Sequence, residues 1–218
     1  MVRIFRPRTH VLLRIALGVV PLVLVLLLVL GMALARSSYS SGAGNIPHQP
    51  VPFSHKHHVG GLGIDCRYCH ASVEKSAFAG MPSTETCITC HSQLWTHAVM
   101  LEPVRESWRT KRPLRWVRVN DLPDYVYFNH GVHLSHGVGC TTCHGPVGRM
   151  PLMRQHATLY MGWCLECHRQ PERYLRPREK VFDVDWEPPA DQLAQGRELV
   201  RKYRVQVGRI TDCFTCHR

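Results

Sequence analysis

Residues Phe128–Gly145 read FNHGVHLSHGVGCTTCHG. Cys140 and Cys143 enclose two residues, and His144 follows the second cysteine at once, the C-x-x-C-H signature of c-type haem attachment. The spacing has a chemical reason. Two thiols on one short loop form thioethers to the two vinyl groups of a porphyrin, and the adjacent histidine then lies under the iron as an axial ligand. Upstream, Phe128, His130 and His133 form F-x-H-x-x-H, with His136 beyond.

The same signature accounts for every cysteine in the chain. The ten are Cys66/Cys69, Cys87/Cys90, Cys140/Cys143, Cys164/Cys167 and Cys213/Cys216, and the pairs are followed by His70, His91, His144, His168 and His217. With 15 histidines in 218 residues, five such placements by chance have odds of about one in a million. A structural zinc site asks for four ligands and no fixed histidine after each pair. A thioredoxin-like redox pair is expected once, near a βαβ pattern. Five covalently bound haem c groups are the expectation.

F-x-H-x-x-H also repeats. Segment 53–91 runs FSHKHH, CRYCH, Met81-Pro82, CITCH, and segment 128–168 runs FNHGVH, CTTCH, Met150-Pro151, CLECH. The two haem motifs of each segment begin 21 and 24 residues apart. The fifth, Cys213–His217, stands alone. Two imidazoles three residues apart project from one short turn and reach two different irons. His55, His58, His130 and His133 are therefore expected as distal ligands, each phenylalanine packing on a porphyrin edge. One iron remains, with Met161, His97, His136, His156, Met81, Met100, Met150 and Met153 as candidates. Met161, three residues before Cys164, leads the set, and Met/His ligation raises a potential. Met81 and Met150 read as packing residues at turns before proline, and His48 and His57 as linker or surface residues.

About 33 residues per motif over 53–218 is too thin for a conventional side-chain core. The expected fold is mostly irregular with short α-helices, a multihaem cytochrome c fold whose haems form the core. Glu102–Thr110 and Gln192–Val205 read as helices and Arg115–Val119 as a short strand. Ile15–Ala35 is 21 residues without a charge, about 31 Å as a helix, enough to cross a bilayer. Arg3, Arg6, Arg8 and Arg14 precede it, so residues 1–14 form a basic cytoplasmic N-terminus, which also holds His10, and residues after about 36 lie outside. Ala33-Leu34-Ala35 resembles a cleavage site, but the apolar run exceeds a usual h-region, and a retained anchor is the preferred reading. Residues 36–52, RSSYSSGAGNIPHQPVP, form a linker, and 53–218 the pentahaem domain.

The formal charge of +11 is of the size that about ten haem propionates cancel, so arginine–propionate pairing is preferred to nucleic-acid binding. All five motifs end in histidine and enough distal donors exist to close five irons, which disfavours reduction of a small ligand at an open iron. Asp121, Asp124 and Glu166 read as surface carboxylates rather than proton carriers.

With those residues in place, the chain resembles the membrane-anchored pentahaem cytochrome c subunit of alternative complex III, a quinol:electron-acceptor oxidoreductase. The stretches that carry the resemblance are FSHKHH, CRYCH, AGMPSTETCITCH, WVRVNDLPDYVYFNHGVH, CTTCHGPV, LYMGWCLECH and CFTCH. The haem modules are also similar to class III multihaem cytochromes. The resemblance implies a respiratory-chain subunit at the bacterial inner membrane with its haem domain in the periplasm. It implies integral-membrane quinol-binding subunits, an iron–sulfur subunit and a monohaem cytochrome c as partners. It implies electron relay to a periplasmic cytochrome c or terminal oxidase, and mostly bis-histidine haems. The alternative is a single-anchor multihaem quinol dehydrogenase that oxidises quinol itself. A redox or gas sensor is the third class, and the chain shows no output domain for it.

Overall fold

The structure is a computed structural model that describes residues 7–217. Arg3 and Arg6 of the basic N-terminus lie outside the described residues. Two units separate near residue 42. The first contains α1 (Pro7–Arg36), which encloses the expected apolar span, and the short α2 (Ser38–Ser41). α1 is long and apolar enough to cross a membrane. Pro21 sits inside it, which a membrane helix tolerates.

The second unit is short helices joined by long connections. Among the described residues it has no strand, only isolated bridges at Val126/His217 and Val138/Leu175. The helices are α3 (Cys66–Cys69), α4 (Thr84–His91), α5 (Glu102–Thr110), α6 (His130–Ser135), α7 (Cys140–His144), α8 (Met161–Arg169), α9 (Gln192–Lys202) and α10 (Cys213–Cys216). Every C-x-x-C pair lies on one of them. The residues before them, Asp65, Ser83, Gly139, Tyr160 and Asp212, all have extended backbone, so each motif enters its helical turn from a sharp bend. Asp65 closes that bend by accepting the Arg67 N–H at 2.8 Å.

The side-chain core is thin, as expected. One cluster joins Val73, Leu134 and Val181; another joins Val138, Leu175, Leu199 and Tyr203. The second cluster is where α9 clamps the chain beside α7. Gln192 Nε2 donates to the carbonyls of Glu172 and Leu175 at 3.0 and 2.9 Å. Gly196 lies against the Glu172 carbonyl so closely that a Cβ would stand 1.9 Å from its oxygen.

Glu102–Thr110 is helical as expected. The helix from Gln192 stops at Lys202, short of Val205, because Tyr203 turns into the core and Arg204 takes a left-handed φ of 55°. Arg115–Val119 is not a strand. No strand lies beside it; the Gln49 side-chain amide instead takes both backbone groups of Val117, at 2.8 and 2.9 Å. Met150 is buried at its turn, whereas Met81 is exposed.

Candidate haem-binding site

Both F-x-H-x-x-H stretches lead into a short capped helical turn. The residue after the phenylalanine caps the turn: Asn129 Oδ1 accepts the Val132 N–H at 3.1 Å, and Ser54 Oγ accepts the His57 N–H at 3.2 Å. The turns are α6 in the second segment and one π-helical turn, Lys56–Gly61, in the first. The first histidine meets its phenylalanine edge-on, at 4.9 Å for His55 and 4.7 Å for His130. The second stacks on it, at 4.4 Å for both His58 and His133. The phenylalanines thus grip the histidine rings, a contact absent from the reading of them as porphyrin-edge residues.

These turns bring upstream histidines to motif histidines. The ring centroids of His58 and His91 are 6.2 Å apart, those of His130 and His144 6.4 Å, and those of His133 and His168 6.1 Å. Two imidazoles on opposite sides of one metal, each bonded at about 2.0–2.1 Å, have centroids about 6.3 Å apart once the ring radius is added. The residues therefore fit a shared iron at three places. The histidines that neighbour His55 are His70 and His58.

The rings also present the correct nitrogen. Nδ1 of His70 lies 2.7 Å from the Gly80 carbonyl, that of His91 3.1 Å from Leu94, and that of His168 2.7 Å from Ile210. His217 Nδ1 meets the Tyr125 carbonyl at 3.2 Å. His58, His130 and His133 bond the carbonyls of Ser54, Ala77 and Asn129 at 2.7–2.9 Å. A carbonyl only accepts, so each Nδ1 carries the proton and Nε2 keeps its lone pair for a metal. His144 completes the pattern. Its Nδ1 lies 3.1 Å from the Asn120 amide, whose Oδ1 is buried without a partner; turning that amide over gives Oδ1 the Nδ1–H and satisfies both.

Burial and the neighbouring histidines favour the neutral form, the one that binds metal, at His55, His133 and His144. His55 is held down at about 4 by burial, then by His70 and His58. His144 is also at about 4, through burial and then His130, His70 and His55. Burial lowers His133 as well. Among the thiols, burial pushes Cys143 up to about 11 and Cys167 up to about 12.

The fifth motif is less crowded. Tyr125 is the ring beside His217, at 5.8 Å, and Met161 stands exposed at the start of α8. His97 and His156 are exposed, and His136 is part-covered with Nδ1 on the Val132 carbonyl at 2.7 Å. His57 is exposed, as read from the sequence, and Asp121 pairs with Arg118 at 2.9 Å on the surface. Glu166 accepts the Tyr174 hydroxyl at 3.0 Å.

Sequence reasoning missed Asn120, inside the WVRVNDLPDYVYFNH block, and Arg176. Arg176 is 3% exposed. Its Nη2 donates to the hydroxyls of Thr141 and Thr142, between the cysteines of α7, at 3.0 and 3.2 Å. Its guanidinium lies 4.1 Å over the Trp186 ring, and burial lowers its pKa. Gly139 leaves the room it needs, since a Cβ there would stand 2.2 Å from the guanidinium carbon. No pattern in the sequence marks this arginine out from the others.

Residues 126–218, which carry the second F-x-H-x-x-H and the last three motifs, match the family described as cytochrome c7 and related cytochrome c. The chain is also 38% identical over 97 residues to the multiheme cytochrome c subunit of the menaquinone reductase of Nitratidesulfovibrio vulgaris. That alignment covers 44% of this chain and 45% of the relative. The fold is mostly helical and irregular and cytochrome c7-like, and similarity to cytochromes c implies covalently bound haem c.

Proposed function

We propose that this chain is an electron-relay subunit of a membrane quinol-oxidising respiratory complex, holding five haem c groups and passing electrons to a periplasmic cytochrome c or terminal oxidase. The observation that carries the reading is the set of imidazole pairs 6.1–6.4 Å apart, with Nδ1 of His58, His91, His130, His133 and His168 tied to a carbonyl oxygen. Such pairs close an iron on both faces and suit it to one-electron transfer rather than ligand chemistry. The thioethers fall to the ten cysteines and the proximal positions to His70, His91, His144, His168 and His217. The distal positions fall to His55, His58, His130, His133 and, for the fifth, Met161. When bound, each haem supplies a reversible ferric/ferrous couple. The chain fixes the rings through the carbonyl acceptors, grips four of them with Phe53 and Phe128, and excludes water where Leu134 and Val138 pack.

α1 is the membrane anchor in this reading. The arginines before the apolar run put the second unit on the periplasmic face. The expected partners are integral-membrane quinol-binding subunits, an iron–sulfur subunit and a monohaem cytochrome c, as in alternative complex III.

A second reading runs the same relay in the opposite direction, into menaquinone. It is favoured by the relative, whose name is that of a menaquinone reductase subunit. The two separate by potential: haems well above the menaquinone couple accept from quinol, and haems at or below it deliver to quinone. Purified subunit mixed with a menaquinol analogue separates both from a single-anchor quinol dehydrogenase, since rapid haem reduction without other subunits favours the latter.

The primary test is a pyridine haemochrome count with low-temperature EPR of the intact protein. Five haems, all low-spin and silent to carbon monoxide, are expected. Zinc in place of iron, fewer than five covalent haems, or a high-spin majority would end the proposal. Met161→His should lower the potential of one haem only; an unchanged redox titration would return the fifth position to His97 or His136.

A further inference from the structure

The relay leaves open how its stations are ordered, and the contacts between motifs bear on that. The two segments hold each other reciprocally. The turn after Phe53 lies on the stretch that follows the third motif: Lys56 N–H donates to the Met150 carbonyl at 2.9 Å. Gly60 and Gly148 touch there so closely that a Cβ on Gly60 would stand 2.1 Å from the Gly148 oxygen. The turn after Phe128 lies on the stretch that follows the first motif. His130 and Gly131 N–H groups donate to the carbonyls of Ala77 and Ser76 at 3.2 and 3.1 Å. Gly131 meets Glu74 backbone, where a Cβ would be 2.8 Å from the carbonyl oxygen. Each segment therefore seats its histidine turn beside the first haem motif of the other, an approximate two-fold exchange that sets motif one against motif three.

Other contacts extend the order both ways. Tyr68 and Thr89, one inside each C-x-x-C loop of the first segment, share a hydrogen bond of 2.8 Å between their hydroxyls. His130 and His133, on α6, reach His144 and His168 respectively. His168 donates from Nδ1 to Ile210, three residues before Cys213. Exposure marks the two ends independently: Cys90 and Cys213 are exposed, and the other eight cysteines are partly covered.

We infer that the haems stand in the spatial order Cys87–His91, Cys66–His70, Cys140–His144, Cys164–His168, Cys213–His217, so that the second and fifth motifs, not the first and fifth, are the two ports. The inference rests on the relay reading. Each internal step moves one electron from a ferrous iron to the adjacent ferric iron, with no proton or atom transferred. The outer steps, exchange with a one-electron donor and a one-electron acceptor, occur at Cys87–His91 and Cys213–His217. The motif met first along the chain is an interior station.

NMR of the haem-loaded full chain in detergent, fully reduced so that every low-spin iron is diamagnetic, tests the order. Thioether-bridge protons assign each porphyrin through cross-peaks to its own cysteine β-protons. Cross-peaks are expected between the porphyrins of the first and third motifs and of the first and second, with none between the second and third. A cross-peak between the second and third, with none between the first and third, overturns the order in favour of simple chain sequence. A pyridine haemochrome count on the same sample reports separately on the relay reading, which a value other than five would overturn.

Discussion

Segments 53–91 and 128–168 carry the same pattern, yet they differ in how firmly the fold holds them. Locally they match: cap, edge-on ring, stacked ring and Nδ1 to the capping residue's carbonyl recur with nearly equal distances. Beyond the turn they part. In the second segment α6 carries Leu134 and the chain runs on to Val138 and Gly139, all buried, and Arg176 bonds the hydroxyls of Thr141 and Thr142 between Cys140 and Cys143. In the first, the turn runs into Gly60, Gly61 and Gly63, all exposed, and Met81 is exposed where Met150 is buried. His130 has an acceptor for Nδ1, whereas His55 Nδ1 is buried without one. Five or six residues suffice to build a ligand pair, and neighbours decide how rigid and how dry it is.

The strongest probe of that comparison replaces the stacked histidine in each segment. His58→Met and His133→Met should each raise one haem potential, by about 0.1–0.3 V within the span of about 0.8 V that axial ligands command. Equal local geometry predicts shifts of similar size by redox titration; a shift in one segment alone would break the equivalence.

The contrast in packing predicts the next effect. Leu134→Ala should cost about 2–3 kcal/mol in denaturant unfolding followed at the haem absorption band, because Leu134 is in a buried cluster. Val59→Ala, at the part-exposed place in the first turn, should cost about 1 kcal/mol or less. Similar losses would mean that the two turns are equally well packed. Smaller again, Phe53→Leu and Phe128→Leu should each lose about 0.5–1.5 kcal/mol of ring contact, to the same extent in both segments.

The smallest effect is electrostatic and local to the first segment. The Arg67 side chain holds the Asp65 carboxyl below its ordinary range, aided by the Arg67 N–H. A depressed carboxylate adds stability above its unfolded pKa of about 3.9 and loses it as pH falls through the folded value. Asp65→Asn should therefore be slightly destabilising at neutral pH, with the difference from wild type closing below about pH 4. A difference that grew with acidity would contradict the assignment.

The C-x-x-C-H motifs and the repeat were legible because each is written in contiguous residues. The cap inside F-x-H-x-x-H went unread, although Ser54 and Asn129 are both residue types that cap helical turns. The false strand at Arg115–Val119 came from reading local preference without a partner, and Gln49, 68 residues away, took the partner's place. Arg176 and Asn120 were illegible for the same reason: their roles exist only where α7 meets distant chain.

Sequence by itself determined where the C-x-x-C-H motifs and the F-x-H-x-x-H repeats lie and that a long apolar helix precedes them, because both depend on neighbours in the chain. Only the tertiary structure decided which histidine faces which, where the thin core lies, and which motifs abut. Those relations join residues tens of positions apart, and they arise from backbone contacts, such as Gly60 on Gly148 and Gly131 on Glu74, that no local pattern encodes.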